Sequence, residues 1–340
     1  MSPLHYYVTG NTAGGLVNHL DENIHDIDRI IALQHPSKSL KTAVIKHLFH
    51  HYDNRYLEVL QSSFANTYLD GIIIRDQSLA FIDESIATTY TSVIDLTQTF
   101  PLPVTNQPDI NELMQKAYDS FAEGLHIHDN LEAIYINQMN FSRADAYIDR
   151  FINELLMDVP EKHREPRRYH RLFGTNTADG VVNVVPHLIE NIPHVYYIKG
   201  RAGTGKSVFM KRIANACLDH GLDVELYYCS FDPESIDMVL VRALDFCIFD
   251  STDPHEFFPE RHGETIIDMY EKFVAPGTDE AYADEIHDVY AQYKSCMKQG
   301  MRYLETAGRR WQAWEKAYMQ TVNDSHLKSH IQTIVHSLHK

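Results

Sequence analysis

The chain has 340 residues and carries 47 carboxylates against 30 lysines and arginines, a formal net charge of −17. That length suits two domains, each able to bury a sizeable core. The acidic balance argues against a general nucleic-acid or membrane-surface role, both of which need a basic face.

The first residues lack the basic stretch and apolar run of a secretory leader. The longest apolar stretch, Met238 to Phe249, is broken by Arg242 and Asp245, so no membrane span is expected. The cysteines, Cys217, Cys229, Cys247 and Cys296, show no CxxC spacing. They read as free thiols in a reducing compartment. The expectation is a cytoplasmic protein.

Along the chain a duplication emerges, the first thing to look for in an unfamiliar sequence. Asn11-Thr12-Ala13-Gly14-Gly15-Leu16-Val17-Asn18 matches Asn176-Thr177-Ala178-Asp179-Gly180-Val181-Val182-Asn183 at a spacing of 165. After a two-residue shift Ser63-Phe64 lies opposite Ser230-Phe231, Asp70 opposite Asp237, Arg75 opposite Arg242 and Asp83 opposite Asp250. This divides the chain into a half over 1–159, a charged, Pro-containing linker over 160–168 and a half over 169–340. Each half reads as a strand-and-turn segment with the Asn-Thr pair, a strand, a helix, a strand (Val224 to Cys229 in the second), a Pro-containing loop and a strongly apolar strand ending at Asp250. Strands alternating with helices predict an α/β fold with a parallel sheet in each half and helices on both faces. Each half then trails into helices, where Tyr118, Phe121 and Leu125 recur as Tyr290, Tyr293 and Met297. Their helical spacing marks packing positions.

The chemistry is concentrated after the strand Tyr196-Tyr197-Ile198-Lys199. The run Gly200-Arg201-Ala202-Gly203-Thr204-Gly205-Lys206-Ser207 is GxxxxGK[ST], the phosphate-binding P-loop, in the required strand–loop–helix setting. Its glycines allow backbone N–H groups to approach phosphate oxygens. The following helix turns its unpaired N–H groups and positive dipole end to the same anion. Lys206 is expected to reach the β- and γ-phosphates, and the Ser207 hydroxyl to ligate Mg²⁺. The first half has His35-Pro36-Ser37-Lys38-Ser39-Leu40-Lys41-Thr42 at these positions. Lysine and hydroxyl survive as Lys41 and Thr42, every glycine is gone, and this half is expected to be a structural partner.

Asp250, at the end of its strand, is the candidate to complete the Mg²⁺ shell. It is followed by Ser251, whereas Asp83 is followed by Glu84. The missing glutamate leans toward phosphoryl transfer or slow hydrolysis. Asp232, in the loop after the preceding strand, is a candidate base or water-orienting group, or a helix cap. His255 is read as a phosphate contact, an acid or a surface loop histidine. Arg201, Arg212, Arg261, Arg164, Arg167, Arg168 and Arg171 are open candidates for neutralising the transferred phosphoryl group. His47, His50 and His51, with His126 and His128, lack the pattern of a zinc site.

These motifs, with Pro276-Gly277-Thr278-Asp279-Glu280, resemble a bacterial, Firmicutes-type family of tandem-duplicated P-loop ATPase or nucleotide-kinase-like proteins. The resemblance covers essentially the whole chain and implies a P-loop NTPase fold in both halves. The combined reading is an ATP·Mg²⁺-binding protein, organised as a monomeric pseudo-dimer with one competent site. It hydrolyses ATP or transfers phosphate to a small-molecule or protein acceptor. The alternative is a nucleotide-gated binding module with negligible turnover. ATP is preferred to GTP because no NKxD tetrapeptide occurs.

Overall fold

Apolar runs of five or six residues punctuated by turn residues form strands, and amphipathic stretches between them form helices. The computed structural model describes residues 2–52, 55–102 and 104–338. The first half opens with β1 (Leu4–Tyr7), the hairpin β2 (Thr9–Thr12) and β3 (Gly15–Asn18), α1 (Leu20–Ile24), β4 (Arg29–Gln34) and α2 (Lys38–His51). It continues with β5 (Leu57–Gln61), β6 (Leu69–Ile74), β7 (Leu79–Asp83), β8 (Ser92–Asp95), α3 (Asn111–Ile136) and α4 (Phe141–Leu156). The second half repeats the order through β9 (Arg168–Leu172), β10 (Gly174–Thr177), β11 (Gly180–Asn183), α5 (Val185–Ile189), β12 (His194–Lys199) and α6 (Lys206–Asp219). There follow β13 (Val224–Tyr228), β14 (Ile236–Val241), β15 (Phe246–Asp250) and β16 (Glu264–Asp268). The chain ends in α7 (Met269–Phe273), α8 (Thr278–Ala281), α9 (Ala283–Met319) and α10 (Asp324–Leu338).

One twelve-stranded sheet runs through both halves in the order β16-β12-β15-β14-β13-β9-β1-β5-β6-β7-β4-β8. From either edge inward the halves match strand for strand. They meet where β1 and β9 pair antiparallel at Tyr7 and Leu172.

The sheet is mixed, where a parallel one was expected. β4 is parallel to β7 and β8, and β12 to β15 and β16, but β6 and β14 run against both neighbours. Where one apolar strand ending at Asp250 was expected after the Pro-containing loop, there are two, and the apolar stretch Met238 to Phe249 is a hairpin of β14 and β15. Arg242 and Asp245, the residues that interrupt it, form its turn, with Asp245 left-handed at φ 48° and Ser78 repeating this at φ 50° in the first half. A connection that short permits only an antiparallel return.

Helices cover both faces. α1 and α5 share a core with both halves of the sheet, including Ile24, Leu188, Tyr197 and Phe249. On the other face α6 buries Phe209, Met210, Ile213, Ala214 and Cys217 at helical spacing. A buried Phe, Met or Ile of this kind contributes roughly 1.5–3 kcal/mol.

The trailing helices are exchanged. α4 of the first half packs Ala144 and Ile148 on α6 of the second, and Arg212 of α6 pairs with Asp145 and Asp149 of α4. Reciprocally, α10 sets Leu327, Ile331 and Ile334 into the core around α2. α3 and α9 pack antiparallel, with Gly300 against the Phe121 ring and Gly124 against Cys296 and Met297. The hairpins cross as well. Asn11 Nδ2 donates to the Ser63 and Asn176 carbonyls (2.9 and 2.8 Å), and Asn176 Nδ2 to those of Asn11 and Ser230 (3.1 and 3.0 Å). Ala13 N–H reaches the Phe231 carbonyl and Ala178 N–H that of Phe64. The repeated Asn-Thr pair is therefore a clasp between halves.

Among the described residues no helix is long and apolar enough to cross a membrane.

Candidate functional site

β12 ends at Lys199, and the chain turns through Gly200-Arg201-Ala202-Gly203-Thr204-Gly205 into α6. Gly205 is the N-terminal boundary of that helix at φ 83°. Gly203, at φ 71°, touches the backbone of α3: a Cβ there would lie 2.6 Å from the Glu132 carbonyl oxygen. Both positions require glycine, one for conformation and one for close approach as well.

Lys206 Nζ donates to the Arg201 carbonyl (2.9 Å) and lies 3.5 Å from Asp250 Oδ2. Thr204 Oγ1 donates to the same carbonyl. Ser207 Oγ accepts the Ile236 N–H at 3.0 Å, which fixes the hydroxyl beside the start of β14. The next residue, Asp237, is a carboxyl raised to about 7 by burial and then by neighbouring Asp250. Lys206, Ser207, Asp250 and Asp237 thus form one constellation of an ammonium, a hydroxyl and two carboxylates. Asp250 Oδ1 also accepts the Thr252 hydroxyl at 2.7 Å. Asp232 Oδ1 accepts the Glu234 N–H at 3.0 Å, capping its own turn, while its charge acts on Asp237, His128 and Glu132.

Among the arginines, Arg201 lies in the loop and is tied to Asp279 at 2.8 Å, beside Tyr135, whose hydroxyl donates to the same carboxylate. Arg212 is held by α4, Arg261 by Glu264 and the carbonyls of Ile189 and Glu190, Arg164 by Asp223 and Arg167 by Asp26. Arg168 begins β9, and Arg171 is buried in the core. His255 is not a surface residue. It is buried against the Phe173 ring, 3.4 Å from Asn183 Nδ2, and burial lowers it to about 4. Among the described residues no three His, Cys, Asp or Glu side chains are grouped to hold a metal ion.

In the first half the equivalent geometry is filled by side chains, its own and those of α9 from the second half. Thr42 Oγ1 accepts the Leu69 N–H at 3.0 Å, as Ser207 does from Ile236, and Lys41 Nζ lies 2.5 Å from Asp83, as Lys206 lies near Asp250. α2, however, starts at Lys38, so Lys38-Ser39-Leu40 make a helical turn where the second half has Gly203-Thr204-Gly205. Glu315 of α9 sits on that N-terminus. Its carboxylate accepts the N–H groups of Lys38 (2.6 Å) and Ser39 (3.3 Å), the Ser37 hydroxyl (2.6 Å) and the Trp311 indole N–H (3.0 Å). Lys38 Nζ lies 3.4 Å from Asp83 and its charge also acts on Asp70. Beside them lies a cleft of about 590 Å³ walled by Gln34, His35, Glu84, Asp95 and Trp311.

Glu132 of α3 is the counterpart of Glu315. His128 packs on Phe231 as Trp311 packs on Phe64, and Tyr135 and Tyr318 follow at the same spacing of 183. The pairing of Tyr118, Phe121 and Leu125 with Tyr290, Tyr293 and Met297 is therefore displaced by eleven residues. Three turns of helix take about 10.8 residues, so such a slip keeps every apolar residue on its face. Glu132 and Glu315 escape a reading of the sequence, although the Glu-x-x-Tyr spacing shared by Glu132-Tyr135 and Glu315-Tyr318 marks them. Asp237 was read only as a member of the repeat and His128 only as one of a histidine pair, neither as a site residue. Comparison with protein-family models, with characterised proteins and with solved structures finds no match to this chain.

Proposed function

We propose that this chain binds ATP·Mg²⁺ at a single P-loop site in its second half and carries out phosphoryl chemistry there. The two P-loop NTPase-like halves form a pseudo-dimer within one chain. The observation that carries the reading is the contrast between halves. At the first-half site a carboxylate, Glu315 from α9 of the second half, sits on the helix N-terminus, and an ammonium, Lys38, lies beside Asp83 and Asp70. The second half has Gly203 at the position of Lys38 and a glycine loop in place of the extra helical turn. A phosphate chain and a divalent cation supply the same two charges from outside, the anion to the N–H groups and the cation to the carboxylates.

In this reading the Gly200–Lys206 backbone and Lys206 bind the phosphates, and Ser207 and Asp250 hold the metal, with Asp237 behind them. A hydroxyl and carboxylates are hard oxygen donors of the kind Mg²⁺ takes. Bound there, Mg²⁺ neutralises charge on the β- and γ-phosphates. Asp232 borders the same space. The resemblance to tandem P-loop ATPases and nucleotide kinases agrees with this assignment, and a cytoplasmic location with access to ATP follows from it. A second reading, a nucleotide-gated module acting on a protein partner, is favoured by one contact: α3 rests on Gly203, so a ligand in the loop is felt by a 26-residue helix.

Binding of a fluorescent ATP analogue with Mg²⁺ tests the assignment. Wild type and Lys41→Ala are expected to bind, and Lys206→Ala to lose binding by tenfold or more. Equal binding by Lys206→Ala overturns the site.

A further inference from the structure

We propose that Glu132, carried by the first half on the exchanged helix α3, is the catalytic carboxylate of the second-half site and makes the protein an ATP hydrolase. The proposal rests on the phosphate-site assignment above and names what that assignment lacks, a group to activate the nucleophile. Ser251 follows Asp250 where the first half has Glu84, so β15 supplies no such glutamate.

The geometry points to α3 instead. Glu132 lies with its backbone against Gly203, on the crest of the loop. The pseudo-symmetric Glu315 shows how far a glutamate reaches from this position: its carboxylate contacts the N–H groups of Lys38 and Ser39, the residues equivalent to Gly203 and Thr204. From the same helical position Glu132 reaches the outer end of a phosphate chain seated on the loop. Lys206 and Asp232 both act on its charge, and His128 Nδ1 lies 3.7 Å from its Oε1. Burial, with Asp129 beside it, raises its proton affinity, which suits an acceptor.

The step balances as follows. A water oxygen forms a bond to the γ-phosphorus while its proton passes to the Glu132 carboxylate. The bond from the γ-phosphorus to the bridging oxygen breaks, and its electron pair leaves with ADP. Phosphate and ADP depart, and Glu132 returns its proton to solvent.

The test uses the full chain as wild type, Glu132→Gln, Glu132→Asp and Lys206→Ala. Phosphate release from ATP·Mg²⁺ is measured beside the affinity for fluorescent ADP·Mg²⁺. Glu132→Gln is expected to bind within about threefold of wild type and to lose about a hundredfold or more in phosphate release, with Glu132→Asp intermediate. Unchanged release in Glu132→Gln overturns the proposal. So does tighter binding with release retained, which would make Glu132 a tethered competitor of phosphate. Wild type that binds through Lys206 but releases no phosphate overturns the catalytic role and leaves the phosphate site standing. Binding that ignores Lys206→Ala overturns both.

Discussion

Tyr6 and Arg171 occupy equivalent positions in the two halves, and Arg171 lays its guanidinium carbon 4.0 Å from the centre of the Tyr6 ring. They meet at the β1–β9 join, where a repeated residue would face itself. Two arginines there would repel, and two tyrosines would leave Glu58 and Glu225 without the cation they share. One of each lets Arg171 bridge Glu225 (2.9 Å) and Glu58 (3.2 Å), while Tyr6 donates to Glu58 and Tyr227 to Glu225. Arg75 and Arg242 close the network from either side.

Arg171→Met is therefore expected to lower unfolding stability by about 3–5 kcal/mol, because it removes the buried cation that both carboxylates share and leaves each with one arginine. Urea denaturation of the variant measures this. A loss below about 1 kcal/mol would mean that Arg75 and Arg242 suffice.

Acid should weaken the fold at the same carboxylates. Burial alone would raise Glu225, but Arg171 and Arg242 outweigh it and hold the group below its usual value of 4.5. Burial is likewise outweighed at Asp83, which Lys38 and Lys41 hold at about 2. Groups lowered on folding give stability that is complete above their unfolded values and lost as pH falls through their folded ones. Asp83 alone accounts for about 2 kcal/mol, lost between roughly pH 4 and pH 2. Asp70 and Asp237, both raised by burial, act in the opposite sense and add stability as pH falls towards their unfolded value of 3.8. Below about pH 4 that gain is complete, and the urea midpoint is expected to fall steadily; a flat profile from about pH 4 to about pH 2.5 contradicts the ion-pair account.

Glu315→Ala removes the anion on the α2 N-terminus and leaves three donors there without their acceptor. A loss of about 2 kcal/mol is expected. Sulfate should restore part of it by taking the place of the carboxylate. The comparison is thermal midpoint with and without sulfate; equal salt effects on variant and wild type would speak against an anion position.

The exchange of helices predicts how the protein can be divided. Residues 160–340 alone lack α3 and α4, and should bind no nucleotide. Co-expressed with 1–159 as a separate chain, they should form a one-to-one complex with Lys206-dependent binding. Binding by 160–340 alone would show that α3 and α4 are dispensable.

The repeat, its two-residue shift and the strand–glycine loop–helix of the second half were legible because side chains repeat where backbone geometry repeats: Thr42 and Ser207 cap the same strand start, and Asp83 and Asp250 end the same strand. The hairpin of β14 and β15 was hidden because Arg242 and Asp245 look like interruptions of one apolar run, without the glycine that usually marks a turn. The partners of the trailing helices were hidden for another reason. An apolar stripe on α4 records that the helix is covered, and nothing in the stripe records by which half. Glu132 was missed with them, since it enters the site only through that packing.

The same crossing has a consequence during synthesis. When the ribosome has finished residue 159, α4 displays Ala144, Ile148 and their neighbours, and the surface that covers them, α6 and β13, is still untranslated. At about 5–20 residues per second the missing half takes about ten to forty seconds to appear. A nascent chain stalled in that interval carries an uncovered apolar helix and no completed loop, and a stop codon anywhere before α10 leaves the core around α2 without its covering helix.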